Sequence, residues 1–218
     1  MSIADKLQVI AENEQRVYQA GYEKGLAEGD GSGYDQGYAA GQQAEYDCFW
    51  DVYQANIALR GGYAYCFYGQ GWNPTTFKPK YDFDCGTNSY AMFSWSDIVD
   101  IEKTIDARNC TNFQQAFLRA EKLKTIRLLR VSEKTNLSSA FSYTTSLENI
   151  TFDGEIGNSI GFINSSKLTD ASVQSIIDHL KDMTGETAPK LTFHADVGGR
   201  LTQAQKDAIS AKNWTLAY

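Results

Sequence analysis

Apolar positions near the start of the chain follow a four-three spacing: Ile3, Leu7 and Ile10, then Val17 seven residues on, with Glu14 at the skipped position. That pattern is one side of an amphipathic helix, barely two heptads long. From Gly21 the ladder gives way to glycines at intervals of four, Gly21, Gly25, Gly29, Gly33, Gly37 and Gly41, shadowed by Tyr18, Tyr22, Tyr34, Tyr38 and Tyr46. A helix turns about 100° per residue, so a period of four keeps these glycines on one slowly drifting face and opens a groove in which another backbone can lie. Each glycine costs about 1 kcal/mol relative to alanine inside a helix, so a lone helix of this composition melts. Two readings remain: helices of several chains packed closely through the glycines, or a flexible linker broken at Asp30-Gly31-Ser32-Gly33. A linker needs glycine but not phase, and Gly33 resumes the register, which favours packed helices. Glu23, Lys24, Glu28, Asp30 and Asp35 are interleaved, so this is not the membrane form of the motif.

A longer period governs the second half. Ala91-Met92, Ala116-Phe117 and Ala140-Phe141 align, each followed after six residues by an aliphatic one (Ile98, Leu123, Leu147) and three later by isoleucine (Ile101, Ile126, Ile150). Phe162 and Leu168 form a degenerate fourth copy, giving units of 25, 24 and 21 residues. These lengths fall within the roughly 20 to 29 of leucine-rich repeats. The fragments Leu123-Ile126-Leu128 and Leu147-Ile150-Phe152 read as strands, with Ile126 and Leu128, like Ile150 and Phe152, on the buried face. Such units bury their apolar faces only by stacking and need a cap. The tail supplies one. Thr169 opens a helix whose Val173, Ile176, Ile177 and Leu180 share one side and which Gly185 with Pro189 ends; Leu191 and Phe193 form a strand; Thr202 to Gln205 is a capping box for a helix reaching about Lys212; Trp214, Leu216 and Tyr218 form an edge strand.

The expected fold class is therefore α+β. Residues 1–46 form a helical oligomerisation stalk, a coiled coil with glycine-every-four packing, whose contact residues are Ile3, Leu7, Ile10, Val17 and the six glycines. Residues 47–88 form an aromatic-rich connector, and residues 89–218 a leucine-rich-repeat solenoid with a C-terminal α/β cap. The connector holds Phe49, Trp50, Tyr53, Tyr63, Tyr65, Phe67, Tyr68, Trp72, Phe77, Tyr81 and Phe83, readable as a small core or as a sugar-binding platform, and density favours the core.

Charge changes the picture little. Residues 1–46 carry eight acids against three bases, so −5 of the net −7 lies there, and neither half attracts nucleic acid or an anionic membrane by bulk charge. No run of eighteen apolar residues and no secretory signal is present, so the protein is expected to be made in the cytoplasm. Cys48, Cys66, Cys85 and Cys110 lack the tight pairs of a zinc site, and His179 and His194 have no cysteine or carboxylate at ligand spacing, so no metal or cofactor is expected. Asp82 and Asp84 are the close carboxylate pair an enzyme reading would use; that spacing is common on exposed strands, and they are read as solvated. In a strand ladder the residues alternating with the buried ones point outward, which selects Thr125, Arg127, Asn149 and Thr151, with Thr192 and His194 from the cap strand, as one polar stripe for a receptor.

Three segments also carry a resemblance: the opening M-S-I-A-D-K-L with the glycine-tyrosine stalk; Gly71-Trp72-Asn73 followed by Phe77-Lys78-Pro79-Lys80-Tyr81; and the tail from Leu191 through Gly198-Gly199 to Asn213-Trp214-Thr215-Leu216. They resemble BspA-type leucine-rich-repeat proteins encoded by phages and prophages of gut Firmicutes. The resemblance implies a virion structural or tail-associated protein, a fibre or receptor-binding component, with no catalytic residue to carry over. The expectation is a non-enzymatic virion protein that forms a homotrimer, contacts other virion proteins and presents its repeats to a host receptor. A bacterial surface adhesin of the same repeat type is the alternative, and a glycan-active enzyme the third.

Overall fold

The computed structural model describes residues 82–218 together with Ala64, Phe67, Thr76 and Phe77. The stalk contacts at Ile3, Leu7, Ile10, Val17, Gly21, Gly25, Gly29, Gly33, Gly37 and Gly41, and most of the connector, lie outside the described residues.

Among the described residues, alternation of apolar and polar positions produces eight short strands in two parallel sheets. β1 (Thr76–Phe77) and β2 (Phe83–Asp84) both pair with β3 (Asp100–Asp106), which is followed by β4 (Thr125–Val131) and β5 (Asn149–Gly154). The second sheet has the order β6 (Ile160–Phe162), β7 (Lys190–Phe193) and β8 (Thr215–Ala217). Three helices accompany it: α1 (Asp170–Asp178), α2 (Ala195–Gly199) and α3 (Gln203–Ala211). The repeat register of the sequence is the register of the sheet, for Ile101 pairs with Ile126 and Ile126 with Ile150.

The strands are not uniform. β3 bulges against β4 after Ile101, and β4 against β5 after Ile126, so the next aligned row is Ile105, Leu129 and Phe152. A bulge inserts one residue and reverses the facing beyond it. The expected burial of Leu128 is thereby corrected: Leu129 is buried and Leu128 only half-buried. Ile150 and Phe152 are both buried as expected.

A column of phenylalanines fills the interior. Phe67, Phe93, Phe117, Phe141, Phe162 and Phe193 stack in succession with ring centroids 4.8, 5.4, 5.7, 4.8 and 6.1 Å apart, all of them buried. The first aromatic of the repeat is thus Phe93 rather than Met92. The main chain agrees, because the Phe93 N–H donates to Ala116 and the Phe117 N–H to Ala140. Each buried phenylalanine contributes about 1.5–3 kcal/mol by leaving water, so the column is the principal apolar element of this core.

Asparagines line a second column. Asn88, Asn112 and Asn136 bridge one another in parallel, and each side-chain oxygen accepts from the N–H two residues on, closing a turn in every unit.

The cap follows the sequence closely. The Thr169 hydroxyl accepts from Ser172 N at the start of α1, and Thr202 with Gln205 makes the expected capping box of α3. α1 ends at Asp178, earlier than Gly185 suggests, because Leu180 leaves the helix to bridge Ile156. The short helix α2 and strand β6 were not expected. No helix among the described residues is long and apolar enough to cross a membrane.

Candidate recognition surface

The expected polar stripe divides between the two sheets. Thr125 and Asn149 pair across β4 and β5, with Arg127 and Thr151 exposed beside them. Arg127 reaches back to β3, its Nη1 3.3 Å from the Glu102 carbonyl, and the Asn149 Oδ1 accepts from Thr169 Oγ1 at 3.3 Å. Thr192 lies on β7 in the other sheet, half-buried. His194 caps α2, its Nδ1 accepting from Asp196 N at 3.1 Å. One stripe is therefore corrected to a group of four and a separate pair, because β5 does not continue into β6 or β7.

What meets the edge of β5 is a helix. The Ile150 N–H donates to Ser172 Oγ and the Phe152 N–H to Ser175 Oγ, each at 2.9 Å. Two serines of α1 thus stand in for the strand that would otherwise pair here, and protect an edge open to unwanted pairing.

At the far end of the strands the outward residues are charged. Asp84, Asp106, Arg130 and Asp153 follow one another in register. Arg130 bonds Asp153 at 3.0 Å and approaches Asp82 at 3.5 Å. Burial alone would raise the Asp106 carboxyl, but the hydrogen bonds and charge of Arg108, with Arg130 beyond, outweigh it and hold the group below its ordinary value. The aspartate pair is engaged in the fold: Asp82 Oδ1 accepts from Thr104 N at 3.3 Å, and Asp84 Oδ1 from Gly86 N at 2.8 Å. His179 likewise closes α1, its Nδ1 2.7 Å from the Ser175 carbonyl. Cys85 and Cys110 are buried; desolvation, with each other's proximity, pushes the Cys85 thiol well above its ordinary value, and desolvation raises Cys110 too.

The turns on the other side of the units carry a feature that sequence reading missed. Six non-glycine residues with positive φ fall in two rows at intervals of 24: Ala91, Gln115 and Ser139, then Trp95, Arg119 and Tyr143. The backbone needs this conformation because these N–H groups reach the next unit: Trp95 donates to the Leu118 carbonyl at 2.8 Å, Arg119 to the Ser142 carbonyl at 2.9 Å, and Tyr143 to Asn164 Oδ1 at 3.1 Å. Glycine or asparagine suits such a position, and a larger residue costs about 1–2 kcal/mol. In the second row the side chains form a ladder. The Arg119 guanidinium lies 4.6 Å from the Trp95 ring centre and 4.5 Å from that of Tyr143. Both rings are exposed, at 39% and 44%. The spacing of 24 between the three residues was readable in the sequence, but nothing there marks a tryptophan, an arginine and a tyrosine as residues of left-handed turns.

No family model, no curated protein and no solved structure matches this chain.

Proposed function

We propose that the protein is a non-enzymatic structural protein of a bacteriophage virion, associated with the tail or a fibre. Residues 1–46 assemble it as a homotrimer, and a leucine-rich-repeat region is held outward for contact with the host surface. The observation that carries the reading is the phase of Gly21 to Gly41: six glycines on one helical face have a physical purpose when other chains fill the groove, and they weaken a helix that stands alone. The virion assignment rests on the resemblance of the opening, the Gly71-Trp72-Asn73 segment and the tail. The parallel strands registered at 25 and 24 residues are consistent with stacked repeats, which display many copies of one surface when three chains are joined.

The test is fractionation. Particles from an induced lysogen are banded by density and probed with an antibody against residues 89–218. Co-banding of the protein with infectious particles is expected. Its recovery in the cell-envelope fraction alone, with none in the particle band, contradicts the virion reading and supports the adhesin.

A further inference from the structure

We propose that the Trp95–Arg119–Tyr143 ladder is a binding site for an acidic glycan, with the outward edge of the guanidinium holding a sugar carboxylate and the flanking rings and Ile163 meeting the C–H surface of the sugar. The inference rests on the reading of this protein as one that presents a surface to a partner.

Three observations converge on it. The first is the state of Arg119. Its two faces are covered by rings at 4.6 and 4.5 Å, and its side chain keeps 36% of its exposure. Among the described residues the guanidinium makes no hydrogen bond, and its ion pair is a long one, Nη1 standing 3.8 Å from Glu121 Oε1, beyond hydrogen-bonding range. A planar fork of N–H donors therefore lies between two rings, part-exposed, with only a long ion pair to Glu121 and its hydrogen-bonding capacity free for a ligand. A guanidinium in that state suits the bidentate geometry of a carboxylate, and its loss of rotamer freedom precedes binding.

The second is the field along the ladder. Aromatic rings carry their negative charge on the faces and their positive charge on the edge. Here an inner face of each ring is turned to the cation, which leaves edges beside the N–H fork. The edge of the whole stack therefore favours an anion.

The third is the company the ladder keeps. Among the described residues the exposed large hydrophobic side chains are Trp95, Tyr143, Ile163 and Tyr218; two of these four flank Arg119, and Ile163 precedes in sequence the Asn164 whose side chain accepts from the Tyr143 N–H. An apolar row flanking a cation fits a ligand with both C–H surface and negative charge. The row is one residue wide and its rungs repeat at about the strand separation of 4.8 Å. A folded protein partner needs about 800 Å² on each side, far more than three rungs offer, whereas an extended polymer can follow such a row.

The main-chain bonds of these turns need left-handed backbone rather than particular side chains, so a residue that keeps that backbone leaves them in place. Asn tolerates this conformation, which makes Arg119→Asn the informative variant. The intact protein is titrated calorimetrically with polygalacturonate, with its fully methyl-esterified form, and with poly-glutamate as a carboxylate polymer lacking sugar. Binding of polygalacturonate is expected, weakened by salt and lost on esterification. Arg119→Asn should weaken it by about tenfold or more, the scale of a charge-assisted hydrogen bond, with an unchanged Tm. Arg119→Lys, which keeps the charge but not the fork, should also bind less tightly. Equal binding by wild type and Arg119→Asn, or no binding of polygalacturonate, overturns the proposal. So does poly-glutamate binding as tightly as the sugar polymer, since the site is then a carboxylate site without glycan preference. A fall in Tm with unchanged binding assigns the ladder to stability alone. Loss of particle association in the fractionation above, with glycan binding intact, would remove the virion reading and leave this site standing.

Discussion

In the sheet of β1 to β5, neighbouring units are tied mainly by main chain, with strand pairing on one side and the left-handed turns of Ala91, Gln115, Trp95 and Arg119 donating across on the other. In the sheet of β6 to β8 the strands also pair by main chain, but helices take the place of the left-handed turns and side chains add bonding at the periphery: Ser172 and Ser175 close the edge of β5, Thr202 and Gln205 begin α3, and Lys212 Nζ bonds the carbonyls of Ile177 and Asp178. Yet one phenylalanine column passes through both, from Phe93 to Phe193. Apolar burial is non-directional and roughly proportional to area, so the same ring can serve a turn-built unit and a helix-built one. Hydrogen-bonding groups are directional, so the periphery changes when the connecting segment does. The lesson is a division of labour in which the column supplies stability and the edges supply distinct surfaces.

The largest expected effect breaks the column at its junction. Phe141 stacks on Phe117 and Phe162 and meets Phe152 edge-on. Phe141→Ala should cost about 3–5 kcal/mol in denaturant unfolding. Phe193, with a single stacking neighbour in the column, should cost less on the same truncation. Equal or reversed losses would show that the two sheets do not share one core.

A smaller effect tests the helix edge. Ser172→Ala leaves the Ile150 N–H buried without its partner, which should cost about 1–3 kcal/mol and speed hydrogen exchange at that amide. An unchanged exchange rate at Ile150 would mean that the serine is incidental and the edge protected by packing.

The smallest effect is confined to the first sheet. A buried neutral thiol whose pKa in the folded protein lies above its unfolded value stabilises fully below the unfolded value, about 8.5, and that stability is lost as pH rises through the folded value. Because burial raises Cys85 well above the ordinary range, wild-type protein should lose more Tm between pH 8 and pH 10 than Cys85→Ala. Matching pH profiles would contradict the burial account.

How far these features were legible follows from the same contrast. The row of Ile101, Ile126 and Ile150 was readable because an apolar residue recurring at 25 and 24 positions has one cause, stacking. Leu128 was misplaced because alternation assumes a uniform strand, whereas β4 carries a bulge after Ile126 where its pairing with β5 shifts register. The cap helices were readable from Thr169 and Thr202 because capping is local chemistry. β6 escaped because its three residues, Ile160, Gly161 and Phe162, carry too little pattern. The recognition stripe was half legible, since facing along a strand is local whereas the separation of Thr192 and His194 from β5 is a matter of topology.

The central functional claim concerns the segment before this fold, and native mass spectrometry addresses it most directly. The intact protein, a 24.3 kDa chain, is compared with Gly25→Leu/Gly37→Leu, which raises helix propensity while filling the groove. Wild type is expected at three times the chain mass and the variant largely at the mass of one chain. A monomeric wild type, or a variant that stays trimeric, would contradict assembly through the glycine face.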